Sequence, residues 1–262
     1  MSSMSDAADK PANRLLRAMR GEDLALIEPH VRMSHARSGT VLYEPGDAVD
    51  HVYFPCERTL VVLRIAFADG GSVDTALIGR EGAVGGLVSG SRLPAFARAE
   101  IRFGGPLLAL DIAALDRAKC QSPTIRDLFA RYADCLMAQI LQSVACNATH
   151  PIEQRTAKWL VSAMERTRSG ALPITQDHLA GMLGVGRSYV SRVMQILRQR
   201  GLIETQRGAI MVLDPAGLAQ LSCACHGAVH RHFEHVLKGV YPEEPIIGLD
   251  EETPLDQTLA EA

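Results

Sequence analysis

The sequence predicts an α+β protein in which a small antiparallel roll is followed by one long helix and then by a compact helical module closed by a hairpin. Three observations predict it. Short β-branched or aromatic segments recur with period two as far as Asp111, one apolar stripe at helical spacing follows Pro123, and two short amphipathic helices meet at a glycine-marked turn after Thr175. A chain of 262 residues suits two modest domains, and 47% hydrophobic against 22% charged residues is the balance of a globular protein with a core.

Residues 1–10 are rich in Ser, Asp and Ala and are expected to be a disordered N-terminus without the apolar core of a secretory signal, so a cytoplasmic location is expected. Asn13 can cap a short helix over Arg14 to Met19, with a second near Asp23 to His30. Strands are then predicted at Thr40 to Tyr43, His51 to Phe54, Leu60 to Phe67, Ser72 to Ile78, Phe96 to Phe103 and Leu107 to Asp111. Pro45-Gly46-Asp47, Asp69-Gly70-Gly71, Gly79 to Gly82 and Gly104-Gly105-Pro106 punctuate them. So many short, evenly spaced strands form a small barrel or roll.

After Pro123 the period changes. Ile125, Phe129, Tyr132, Leu136, Ile140 and Val144 fall three or four residues apart, as on one side of a helix over about residues 123–146. That stripe fits a helix lying on its own roll; it also fits a seam between two copies, which a helix long enough to project past the roll favours. The longest stretch without Lys, Arg, Asp or Glu, Cys135 to Ile152, carries Gln139, Gln142, Asn147, His150 and Pro151, so no membrane span is expected.

Another helix, Ile152 to Arg166, leads to the most informative segment. Thr175 can cap a helix whose first turn holds Asp177. Leu179, Leu183, Val185, Val190 and Val193 supply one shared small core, and Gly184 stands where a tight turn needs a positive φ. This is helix-turn-helix spacing. The second helix begins Arg187, Ser188, Tyr189 and continues to Arg192, so these four are the expected base readers, with Ser188 and Tyr189 also suited to a phosphate or a thymine methyl. Leu202 to Glu204 and Ala209 to Leu213 flank Gln206-Arg207-Gly208 as a wing. Arg207 at its tip, with Thr175 and Arg198, is expected to meet DNA phosphates.

Charge is unevenly divided. The net −3 conceals nine Lys and Arg against four Asp and Glu over residues 151–213, and seven acids without a base over residues 242–262. A basic module suits double-stranded DNA; the acidic end reads as a solvated, disordered tail. Six scattered cysteines do not make a disulfide framework. Cys223 and Cys225 followed by His226 and His230 are a candidate metal cluster or oxidation sensor, the alternative being buried thiols beside solvated histidines. Neither a Gly-x-Ser-x-Gly elbow nor a Walker loop is present. A cupin-like metalloenzyme needs several histidines and a carboxylate converging, where the roll offers His51 with Asp69 and Asp74. An enzyme is not expected.

With these residues in view, the chain resembles the Crp/Fnr family of transcription regulators from about Asn13 to Leu237. The resemblance rests on His51-Val52-Tyr53-Phe54-Pro55, Asp69-Gly70-Gly71-Ser72-Val73, Gly79-Arg80-Glu81-Gly82, Cys146-Asn147, Glu153-Gln154-Arg155, Trp159-Leu160 and Ser222-Cys223-Ala224-Cys225, together with the helix-turn-helix. It implies a cyclic-nucleotide-binding-like β-roll over residues 11–113, a dimerisation helix over 114–149, a winged helix-turn-helix over 150–221 and a C-terminal helix over 222–240, before an acidic tail at 241–262. The implied protein is a homodimeric DNA-binding transcription regulator, with RNA polymerase as a further partner if it activates. Ser188 stands where well-known members carry a Glu, which alters the expected half-site. In the roll, Gly85 is followed by Gly86 instead of the ribose-binding Glu, and Ala95-Phe96 stands where an Arg with Ser or Thr holds the cyclic phosphate. The resemblance therefore implies a degenerate pocket that does not hold cyclic AMP tightly, Arg92 or Arg98 being the possible substitutes. No cysteine precedes Cys56, so the family's N-terminal iron–sulfur cluster is not expected either.

Overall fold

A computed structural model describes residues 11–68, 70–88 and 93–239; the expected disordered N-terminus and acidic tail lie outside the described residues, as do Asp69 and Arg92. Helix α1 (Arg14–Arg17) is capped by Asn13, whose side-chain oxygen accepts from the backbone N–H groups of Leu15 and Leu16 at 3.0 and 3.2 Å. The same side chain donates to the Pro55 and Gly82 carbonyls, stitching the helix to the roll. After α2 (Gly21–Ile27) and a 3-10 turn over Glu28–His30 come seven strands: β1 (Val31–Ala36), β2 (Val41–Tyr43), β3 (His51–Pro55), β4 (Leu60–Ala66), β5 (Ser72–Ile78), β6 (Arg98–Phe103) and β7 (Gly105–Asp111). They form two antiparallel sheets ordered β1-β7-β3 and β2-β6-β4-β5. Strand β1 was not predicted: its four central residues, Arg32 to His35, are all exposed, so no alternation marks it. It exists because β7 offers it an edge, with Val31 paired to Leu110 and Ala36 to Gly105.

Asp111 caps α3 (Ile112–Gln121) by accepting from the Ala114 N–H. Ser122 and Pro123 then start the long α4 (Pro123–Thr149), which ends before His150-Pro151. The remaining elements are α5 (Ile152–Thr167), β8 (Ala171–Leu172), α6 (Gln176–Leu183), α7 (Arg187–Gln199), β9 (Ile203–Gln206), β10 (Ala209–Val212), α8 (Pro215–Leu221) and α9 (Cys225–Leu237). Strand β8 adds a third member to the wing, in the order β8-β10-β9.

Three apolar cores hold these layers. Val61, Ile78, Ile101 and Leu107 fill the roll. Phe54, Leu110, Leu115, Phe129 and Tyr132 form a second core beneath it, closed by Phe233 of α9. The third lies within the C-terminal module around Leu160, Leu179, Val190 and Leu197, and it takes in Leu60 and Phe103 from the roll. Helix α5 therefore docks on the sheets; the Phe103 and Trp159 rings meet edge to face at 6.4 Å between centroids.

Helix α4 corrects the expected seam. Ile125, Phe129 and Tyr132 are at most 1% exposed and pack under the chain's own roll, while Leu136 and Ile140 are half-buried against it. The apolar face left open is Met137, Leu141 and Val144, which are 55%, 64% and 64% exposed. The helix carries two adjacent stripes, and intrachain contacts claim the first.

Candidate nucleic-acid interface

The C-terminal module presents α7 at its surface. Thr175 caps α6 through its hydroxyl, which accepts from the His178 N–H at 3.2 Å, and Gly184 ends that helix at φ +65°, a conformation a β-carbon would oppose. Ser191 donates to Gln176 at 2.9 Å, fixing the angle between the two helices from the polar side. Val190, Val193, Met194 and Leu197 face inward, so α7 can turn only one edge to solvent.

That edge carries Arg187, Ser188, Tyr189 and Arg192, all exposed. The Arg192 guanidinium lies 5.2 Å from the centre of the Tyr189 ring, a cation–π contact that holds it along the helix. Arg187 Nε is 3.0 Å from Asp177 Oδ1, with both side chains more than half exposed. A pair so open to water is weak, and a phosphate or a guanine can displace the carboxylate. Thr175 and Arg198 are exposed as well, and Arg207 occupies the two-residue wing turn with Gly208, between Gln206 and its partner Ala209. Arg187, Ser188, Tyr189 and Arg192 thus share the exposed edge of α7, while Thr175, Arg198 and Arg207 are exposed elsewhere on the module. What sequence reading missed is the ion pair, for which Asp177 in the first turn of α6 was the signal.

In the roll, an apolar cavity of about 530 Å³ is lined by Gly85, Gly86, Leu87 and Leu93 on one side and by Leu136, Met137, Ile140 and Leu141 of α4 on the other. Among the described residues lining it none is charged. Of the expected pocket residues, Gly85 and Gly86 line it; Ala95 packs on the core of the roll, and Phe96 is 87% exposed and does not line the cavity. The turn ahead of β6 directs Phe96 outward. Arg98 is held by Glu44 and Glu100, each at 3.3 Å. Lys119 Nζ donates to the Leu87 carbonyl at 2.7 Å, and burial lowers its pKa.

The histidines expected beside Cys223 and Cys225 go elsewhere. His226 Nε2 is 3.0 Å from Glu165 and its Nδ1 is 3.2 Å from the Ser162 hydroxyl, while His230 lies 3.6 Å from Glu234 on the same helix. From the start of α9, these side chains point toward α5 and along α9, away from the thiols.

A β-roll carrying a winged helix-turn-helix with an exposed basic edge defines a DNA-binding regulator. Residues 154–221 match the family described as Crp-like helix-turn-helix domain. The chain is 25% identical, over 81% of its length and 96% of the relative's, to a global nitrogen regulator of Synechocystis. Among solved structures it is similar to FixK2 from Bradyrhizobium japonicum, with a TM-score of 0.63 at 16% identity over 74% of this chain and 98% of that one. It is also similar to a Crp family regulator from Thermus thermophilus, with a TM-score of 0.60 at 19% identity over 72% and 96%. Residues 154–221 thus form a Crp-like helix-turn-helix domain, and over most of its length the chain is similar in sequence and fold to transcription regulators of the Crp/Fnr kind. Among the described residues no helix is long and apolar enough to cross a membrane.

Proposed function

We propose that the protein is a cytoplasmic homodimer, without enzymatic activity, that reads a two-fold symmetric operator with one α7 from each copy. The observation that carries this reading is the exposed edge of Arg187, Ser188, Tyr189 and Arg192 on a helix whose other side is buried. These four reach base edges; Thr175, Arg198 and Arg207 contact phosphates and set register. Met137, Leu141 and Val144 of α4 pack against the same face of the second copy, since three large apolar side chains at helical spacing gain stability only when covered. If the protein activates transcription, RNA polymerase is its further partner.

The signal enters at the apolar cavity. Met137 and Leu141 both line that cavity and stand on the open face of α4, so a molecule there changes the surface that meets the partner. Among the described residues the lining carries no charge, which favours an apolar ligand. It disfavours cyclic AMP, whose phosphate would be left uncompensated, and Arg98 is already committed to two carboxylates. A metal- or redox-responsive regulator is the second reading, favoured by the thiols at the start of α9.

Selection from a random-sequence duplex pool tests the function. The expected result is a palindrome with half-sites centred about 10 base pairs apart, one turn of the double helix. Recovery of no motif, with no salt-dependent affinity for any duplex, overturns the reading.

A further inference from the structure

Apart from the three cores, the three buried cysteines Cys146, Cys223 and Cys225 form a cluster of their own. Cys146 lies on the last turn of α4, His150 caps that helix, and the other two thiols flank the start of α9. The four ligand atoms lie within 4.8 Å of one another. Cys146 Sγ is 3.5 Å from Cys223 Sγ, and Cys225 Sγ is 3.5 Å from His150 Nδ1. A tetrahedral zinc with thiolate arms of about 2.3 Å and an imidazole arm of about 2.0 Å spaces two sulfurs about 3.8 Å apart and a sulfur and nitrogen about 3.5 Å apart. The observed edges are already close to both.

We propose that Cys146, His150, Cys223 and Cys225 bind one zinc ion, which clasps the two ends of the DNA-binding domain to the end of α4. The first two residues precede the Crp-like segment 154–221 and the last two follow it. Each thiol gives its proton to solvent as it ligates, so three thiolates and a neutral imidazole around Zn²⁺ carry one net negative charge. Arg155 answers that charge. It lines the same cavity as Cys146, its Nη2 donates to the Leu183 carbonyl at 2.7 Å, and its Nε is buried without a hydrogen-bond partner among the described residues. Gln142 Nε2 donates to Cys225 Sγ at 3.0 Å, the outer-sphere contact that orients a ligand sulfur. Ligand atoms packed within 4.8 Å enclose a single ion and not a cluster of two irons. Only half of the set was legible locally, because Cys146 and Cys223 lie 77 positions apart and converge only once α9 packs on α4.

Elemental analysis of the full-length protein, purified without an affinity tag, is expected to give about one zinc per chain. Cys146→Ser/Cys223→Ser is expected to lose it, with affinity in chelator competition falling at least about 100-fold, more than loss of an outer-sphere partner costs. His226→Ala is expected to retain it. Cobalt added to the chelator-stripped wild type is expected to show thiolate charge-transfer bands and the intense visible absorption of a tetrahedral centre, a readout that needs no variant to fold. Failure of stripped wild type to bind Zn²⁺ or Co²⁺, undiminished zinc in the double variant, or a Cys146–Cys223 disulfide in metal-free protein lysed under thiol-blocking conditions overturns the proposal.

Discussion

Arg166 on α5 and Glu81 in the roll form an ion pair at 2.9 Å, with 4% and 3% of their side chains exposed. The guanidinium also donates to the Leu77 carbonyl and to Gln139 of α4, so one side chain ties the roll, the long helix and the DNA-binding domain together. A β-carbon at Gly79 would stand 2.7 Å from the Arg166 β-carbon, which is why the loop ahead of Glu81 has a glycine there. Removing one partner leaves the other charge buried, so Glu81→Ala is expected to lower stability by about 3 to 5 kcal/mol, while an apolar replacement of both is expected to cost far less. Urea unfolding followed by the fluorescence of Trp159, the chain's one tryptophan, reads this directly, because Trp159 sits at the same joint. An additive double-mutant cycle would show that the pair does not couple the domains.

On the DNA face, Arg187→Ala and Arg192→Ala are each expected to cost about 1 to 3 kcal/mol on the selected operator and to relax its preference at one position. Arg207→Ala is expected to weaken all duplexes alike and to reduce the slope of log affinity against log salt by about 1. Asp177→Asn frees Arg187 and removes a negative charge, so binding to any duplex is expected to strengthen about twofold. Fluorescence anisotropy across a salt series separates the three effects; equal loss on random and selected DNA for Arg187→Ala would make that residue a phosphate contact.

Local signals were legible in the sequence and long-range ones were not. Asn13, Thr175 and Gly184 perform in the structure the capping and turn roles read from their types, since caps act within three or four residues. Strand β5 spans Ser72–Ile78 as predicted because a turn marks each end. The partners of Cys223 and Cys225, the Glu81–Arg166 pair and strand β1 depend on contacts across the fold, for which one sequence carries no periodicity. The stripe on α4 shows the limit best: spacing identified an apolar face, and only packing decided that Phe129 turns inward and Leu141 outward.

That division gives two opposite expectations on one helix. Leu141→Glu places a charge on the open face and is expected to yield folded monomers that no longer hold the full operator, as seen by sedimentation velocity and anisotropy. Phe129→Ala empties a fully buried site and is expected to cost about 3 to 5 kcal/mol of stability without shifting the association of the molecules that remain folded. Dimers that survive Leu141→Glu at micromolar concentration would remove α4 as the seam.

Buried thiols are expected to contribute to the loss of stability at alkaline pH. Burial pushes Cys56 from an ordinary value of 9.0 up to about 11, and Cys135 from 9.0 up to about 12. Both pKa values are raised in the folded state, so their contribution is fully present below pH 9 and is lost as pH rises toward 11 and 12, where the unfolded chain has already released its protons. Burial also raises Tyr43, Tyr53 and Tyr132, which act in the same sense, and lowers Arg80, which acts in the opposite one. Unfolding free energy is therefore expected to fall from pH 9 upward, and Cys135→Ala is expected to shallow that fall while lowering stability at neutral pH through the volume it removes. Denaturant titrations at several pH values between 8 and 11 measure both slopes, and equal slopes for wild type and variant would place the alkaline sensitivity in other groups.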